Sequence, residues 1–176
     1  MSYATSPSLM AVGDTVFPAR KMKVSSFSLA AAGATSTIEL FDGLIGVVDE
    51  VADTSIGAAG TGYEVGDLIT LASAGGTDLI LEVATVDTGG EVLTYTISQV
   101  GTGLAVGNTQ ATTTNSALGA DFTIDIDAVD DTGAVSVGKI SCIANTSDSQ
   151  HPCAVINEQL SVRVTGASAK GYVYHE

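Results

Sequence analysis

The chain has 176 residues, enough for one compact domain or two small ones, and a net charge of −14 from 20 acidic against 6 basic residues. This balance excludes direct nucleic-acid binding, which needs clustered Lys and Arg to neutralise phosphates, and no run approaches the length of a membrane span. Hydrophobic residues make up 45% of the chain but aromatics only 5%, and tryptophan is absent. The core is therefore expected to be many thin layers of Ala, Val, Ile and Leu, as in a sandwich or an oligomer.

Residues 1–18 lack sustained periodicity and contain Pro7 and Pro18, which predicts an extended arm, disordered or tied down on a neighbouring subunit. The opening is too polar for a secretory signal, so synthesis in a cytoplasm is expected. Arg20, Lys21 and Lys23 form the only basic cluster and read as a charged strand face. From Lys21 an alternating run predicts a strand with Met22, Val24, Phe27 and Leu29 at apolar positions, and the slip at Ser25-Ser26 predicts a bulge. In the next strand Ile38 and Leu40 point one way, and Asp42-Gly43 closes it.

From Gly46 the pattern changes. "GTGYEVGD" at Gly60 to Asp67 returns 41 residues later as "GTGLAVGN" at Gly101 to Asn108. Each copy leads into an alternating run, a polar loop, a second run ("DLILEVATVD", "DFTIDIDAVD") and a Gly-x-Val restart, and "GVVDEVADTSI" from Gly46 is a third strand of the restart type. The glycines of these motifs are expected to supply positive φ in tight turns. The Walker pattern is absent, so phosphate binding is not expected.

Cys142 and Cys153 flank "IANTSDSQHP", read as a hairpin that leaves open a disulfide or, as a cytoplasmic product favours, two buried free thiols. Leu160, Val162 and Val164 alternate in the next strand, and Tyr172 and Tyr174 share a face of the last. No apolar stripe of helical period occurs. The predicted fold is all-β: a β-sandwich framework of residues 19–45 plus 139–176, with a β-rich domain of residues 46–138 inserted in it. That domain is built from two repeats of about 42 residues. Insertion at a hairpin tip is tolerated because the tip's ends lie close together.

The chemistry-bearing residues are few. Asp125, Asp127 and Asp130, with Asp121 and Asp131, are the candidate Ca²⁺ ligands, but EF-hand spacing is missing and the preferred reading is the polar face of an edge strand. His151 and His175 with the two cysteines lack zinc spacing, and a Cys153–His151 nucleophile pair lacks an orienting residue. No catalytic residue, cofactor or resident metal is expected, and the chain is not read as an enzyme.

The strings "GTGYEVGDLITL" and "VDTGGEVLTYTIS" resemble a repeat in structural proteins of tailed bacteriophages. The framework, "KVSSFSLAAAGATSTIELFDG" with "LSVRVTGASAKGYVYHE", is similar to small β-sandwich proteins encoded among phage head and tail genes, notably in phages of marine bacteria and cyanobacteria. The second copy departs from the repeat pattern, with Leu104 where Tyr63 stands and Asn108 where Asp67 stands. The resemblance implies a virion protein made in the host bacterial cytoplasm, a capsid decoration (cement) protein on the outer head surface. It implies the major capsid protein as partner and a homotrimer as the oligomer. The arm, through Met10, Val12, Val16, Phe17 and Arg20, would bind across a capsomer joint. The alternative is a tail-associated or fibre-like adhesin touching the host surface through the exposed-turn residues Tyr63, Asp67 and Tyr95.

Overall fold

The computed structural model describes residues 6–10, 13–17, 19, 22–31, 33–143, 145–150, 154–166 and 169–175. The first four strands are β1 (Ser6–Met10), β2 (Gly13–Val16), β3 (Met22–Ala30) and β4 (Ser36–Asp42). A 3₁₀ turn at Val51–Asp53 precedes β5 (Thr54–Thr61), β6 (Leu68–Leu71), β7 (Leu79–Val86) and β8 (Val92–Gln99). Then come β9 (Gly107–Ala111), β10 (Thr113–Thr114) and β11 (Ala120–Ile126). The chain closes with β12 (Val135–Cys142), β13 (Ser147–Gln150), β14 (Ala154–Ile156), β15 (Leu160–Thr165) and β16 (Lys170–His175). All pairings are antiparallel, and no α-helix occurs among the described residues.

The chain divides into two compact units. The framework comprises the residues up to Ile45 together with those from Thr132 onward, and the insert is Gly46–Asp131. One framework sheet runs β1-β16-β3, with β13 and β14 sharing the far edge of β3; the other runs β12-β4-β15-β2. Alternation decides which side chains meet. Met22, Val24, Phe27, Leu29 and Val173 from the first sheet are buried with Ile38, Leu40, Ile140, Leu160, Val162 and Val164 from the second. Each such side chain contributes on the order of 1.5–3 kcal/mol by leaving water. The register of β3 against β16 slips between Tyr174↔Ser26 and His175↔Val24, which places the bulge at Ser25, whose hydroxyl donates to the Tyr174 carbonyl at 3.2 Å. The bulge lets Val24 and Phe27, three residues apart, both face the core.

Three expectations need correction here. The segment read as a free arm is framework: Ser6–Met10 pairs with Lys170–His175 strand β16, and Gly13–Val16 pairs with β15. Both are short edge strands, too brief to show a period, and Pro7 is tolerated in β1 because only one side of an edge strand must pair. The return into the framework comes at Thr132 and not after residue 138, because β12 is already paired with β4 from Val135 onward. The cysteine loop is not a simple hairpin either. Cys142 ends β12 in one sheet, while β13 and β14 both pair with β3 in the other. Cys142 is a buried free thiol 3.7 Å from the Leu29 carbonyl oxygen; Cys153 and His151 lie outside the described residues.

Asp42, at the end of β4, holds the turn between β14 and β15. Its carboxylate accepts the backbone N–H groups of Asn157 and Glu158, each at 2.9 Å. Partial burial opposes its ionisation, but the hydrogen bonds from Asn157, Glu158 and Gln159 outweigh this and hold the carboxyl below its ordinary range. A depressed folded-state pKa stabilises the fold above the unfolded value and loses that contribution as pH falls through the folded one. Asp42→Ala is thus expected to cost about 1 kcal/mol at neutral pH, a modest figure for an exposed group. Urea unfolding of both proteins should show the penalty shrinking as the pH falls from the ordinary carboxylate range through the lowered pKa.

The insert has two sheets of its own, β10-β6-β7-β8 and β5-β11-β9. Their shared triplets reveal how the repeats are built. In the first copy β7 lies between β6 and β8, the strand that follows it. In the second, β11 lies between β9 and β5, and β5 comes from the beginning of the insert. The Gly-x-Val strand after β11 has instead gone to the framework as β12. The glycines that open the two restart segments take equivalent places: Gly90 accepts from Tyr63 N–H and Gly46 accepts from Leu104 N–H, both at 3.0 Å. Both have positive φ, +76° and +61°, and neither has room for a Cβ. Inward alternation is the same in both copies, with Leu79, Leu81 and Val83 answering Phe122, Ile124 and Ile126.

The borrowed strand also brings the insert's ends together. Val47 and Asp130 form an antiparallel bridge with bonds of 3.1 and 2.8 Å, and Gly46 N–H donates to the Asp131 carboxylate at 2.7 Å. Among the repeat glycines, Gly60, Gly62, Gly66 and Gly103 adopt positive φ, whereas Gly101 and Gly107 do not. Gly101 is required for room instead: a Cβ there would lie 2.6 Å from the Leu104 side chain and 2.9 Å from that of Leu79.

Candidate functional site

The residues proposed for partner contact are distributed otherwise than the sequence suggests. Met10 stands opposite Gly171 in the β1–β16 ladder and Val16 opposite Ser161 in β2–β15. Phe17 packs against the framework core, its N–H donating to the Leu160 carbonyl at 2.9 Å and its carbonyl accepting from the Gln159 side chain. These positions serve the chain's own sheets and not a free arm. Val12 and Arg20 lie outside the described residues.

Tyr63 and Tyr95 are not exposed contacts. Both are buried in the insert core, where Phe122 meets each ring edge-to-face, at centroid distances of 6.1 and 6.4 Å. Such aromatic pairs add roughly 0.5–1.5 kcal/mol each beyond area burial. The Tyr95 hydroxyl is 2.8 Å from that of Thr54, its equivalent position in the other copy. Burial disfavours the phenolate and pushes the pKa of both hydroxyls above the ordinary range. A tyrosine at a glycine-rich turn reads as an exposed ring, but this turn folds over its own sheet and a sparse aromatic supply is spent in the core.

Asp67 turns its carboxylate onto its own loop, accepting the Glu64 N–H at 2.8 Å. The acidic segment also corrects the expectation of an edge strand, since β11 is the central strand of its sheet. Asp125 accepts the Thr109 N–H, while Asp127 is exposed and its backbone N–H donates to the Asp53 carbonyl at 2.8 Å. Asp125, Asp127 and Asp130 do not converge, and among the described residues no group of three or more His, Cys, Asp or Glu could hold a metal ion.

The exposed apolar residues were not singled out by sequence. Val65 and Val106, at equivalent positions in the two Gly-Thr-Gly turns, are 66% and 60% exposed. Tyr63 and Leu104, two residues earlier in each copy, are buried, so strand alternation would place both valines inside and gives no signal of their exposure. Leu118, in the loop that packs over Gly62, is 78% exposed. On the framework, Val135, Ile143 and Val155 are exposed on or beside the edge strands β12 and β14.

Comparison with protein-family profiles, with curated proteins and with solved structures returns no match. Function must therefore be argued from the chain itself.

On the framework, an ionic row lies across β4, β12 and β15. Glu39 accepts from Lys139 at 2.8 Å and from the Ser136 hydroxyl at 2.7 Å. Desolvation works against its ionisation, yet these hydrogen bonds and the charges of Lys139 and Arg163 outweigh it and lower the pKa. The Arg163 guanidinium also lies 5.8 Å from the centre of the Phe41 ring. This is the arrangement of a stabilised sheet face.

Proposed function

We propose that this chain is a virion structural protein of a tailed bacteriophage, a capsid decoration protein that binds the major capsid protein on the outer head surface. The observation that supports this most strongly is the self-closed insert, which presents Val65 and Val106 at equivalent turns while the framework keeps its own core. A chain of this organisation can attach through one unit and present the other, and modest contacts repeated by symmetry add up across a shell. The resemblance of the turn and framework strings to phage structural proteins supplies the particle. A net charge of −14 suits a protein displayed at high copy number, because like charge opposes aggregation. With Ser6–Met10 and Gly13–Val16 committed to the chain's own sheets, attachment is assigned to the framework's exposed edges and not to a free arm. The preferred oligomer remains a homotrimer.

The exposed valines of the two turns also favour a second reading, a tail-associated adhesin that touches the host surface through the insert. Quantitative mass spectrometry of purified particles separates the two. A copy number near that of the major capsid protein, or a simple lattice fraction of it, is the expected result. A ratio far below this would transfer the protein to the tail, and absence from particles would overturn the virion reading.

A further inference from the structure

We infer that the outward face of the framework's first sheet carries a groove for a neutral hexopyranose, with the Tyr172 ring as its stacking wall. The register builds the groove. Ser149, Ser28 and Tyr172 stand opposite one another on β13, β3 and β16, and Ser147, Ala30 and Lys170 form the adjoining row. Leu29 and Gly171, the intervening residues on β3 and β16, are buried, so these two rows face away from the core. The middle strand therefore contributes only the small Ser28 and Ala30, between β13 on one side and a tyrosine on the other. The resulting trough has a volume of about 350 Å³ and is lined by Ser28, Ala30, Ser147, Asp148, Ser149 and Tyr172, with Leu29 beneath. That is the lower end of the range for small-molecule sites, roughly 300–1,000 Å³, and suits one ring.

The lining chemistry selects the ligand. A pyranose has an apolar C–H face and a rim of hydroxyls. Tyr172 is 38% exposed and offers a ring face, while serine hydroxyls both donate and accept. Asp148, opposite Leu29, completes the rim of the trough on β13, one of its carboxylate oxygens accepting the Ser149 N–H at 2.7 Å. Lys170 stands on the same face but is not part of the lining, and a net charge of −14 on the chain opposes the approach of anions. Two other cavities lack this combination. One, of about 460 Å³ in the insert, has Tyr63 in its wall, but that ring is only 3% exposed. The other, of about 240 Å³, pairs Glu64 with Asp67 and has no aromatic residue.

The inference does not depend on the virion reading and is tested on the isolated full chain. The probes are methyl α-D-glucopyranoside, methyl β-D-galactopyranoside and maltotriose, followed by saturation-transfer NMR and by chemical shifts of the protein. The expected result is transfer to the ring C–H protons of at least one probe, with shifts centred on Ser28, Ser149 and Tyr172. Tyr172→Ala should weaken binding by at least about tenfold, and Tyr172→Phe should preserve it because stacking needs the ring and not the hydroxyl. Should Tyr172→Ala lower the thermal midpoint, Ser28→Leu, which fills the floor, provides the same test. Maltotriose binding more tightly than the monosaccharide would assign the groove to a sugar chain, and equal binding to one terminal ring. No transfer to any probe, or transfer untouched by Tyr172→Ala and Ser28→Leu, would overturn the inference.

Discussion

Replacing Phe122 with alanine is expected to destabilise the insert by about 3–5 kcal/mol and to lower the framework's unfolding transition by less. Phe122 is 2% exposed and contacts both Tyr63 and Tyr95 edge-to-face, so truncation removes the centre of the only aromatic cluster in the insert core among the described residues. Buried aliphatic neighbours are short and cannot collapse into the space, which keeps the cavity cost high. The framework has a separate core built around Phe27, Ile38, Leu40 and Val162. Calorimetry of the variant should therefore resolve two transitions, the insert's moved down further than the framework's. A single transition shifted as a whole would show that the two units unfold as one.

The second large effect is expected at Gly46. A Cβ there would lie 2.2 Å from the Leu104 carbonyl oxygen and 2.6 Å from its nitrogen, and φ is +61°. Both neighbours are backbone and cannot step aside as a side chain could. Gly46→Ala should cost about 3 kcal/mol or more, from left-handed strain together with overpacking. Gly90→Ala, the equivalent change in the other copy, should be harmful but milder, since its nearest contacts are 2.7 and 2.8 Å. Gly133→Ala, with nothing within 4 Å and no positive φ, is the control and should be close to neutral. Denaturant midpoints for the three proteins check the order. Equal tolerance at Gly46 and Gly133 would refute the close approach of Gly46 to the Leu104 backbone.

Where one face of a strand is buried, its residues could be read directly. Met22, Val24, Phe27 and Leu29 line the core as alternation predicts, and the break at Ser25-Ser26 is the bulge. The same holds for Leu160, Val162 and Val164. Pairing partners were not legible, because they depend on contacts far apart in sequence. Nothing local in Thr54–Thr61 says that its partner is β11 and not β6. Nor does a four-residue segment such as Gly13–Val16 carry enough period to announce an edge strand. The candidate site suffered from a related limit. A Gly-flanked tyrosine looks displayed, yet whether Tyr63 faces outward depends on which sheet its turn covers. The trough beside Tyr172 is assembled from β3, β13 and β16 and exists only once the register is known.

The crossed connectivity of the insert also bears on the order in which the chain acquires its structure. Pairing β4 with β12 from an unfolded chain means closing a loop that spans the whole insert, and loop-closure entropy grows by about 0.6 kcal/mol per doubling of length. Once β5 has docked on β11, the Val47–Asp130 bridge holds the two ends of that loop side by side. What had been a span of more than eighty residues then behaves like a connection of a few, a saving of roughly 3 kcal/mol. A repeat unit that closes first thus acts as a template for the strands on either side of it. Variants that slow its closure should delay the framework even where they touch none of its residues.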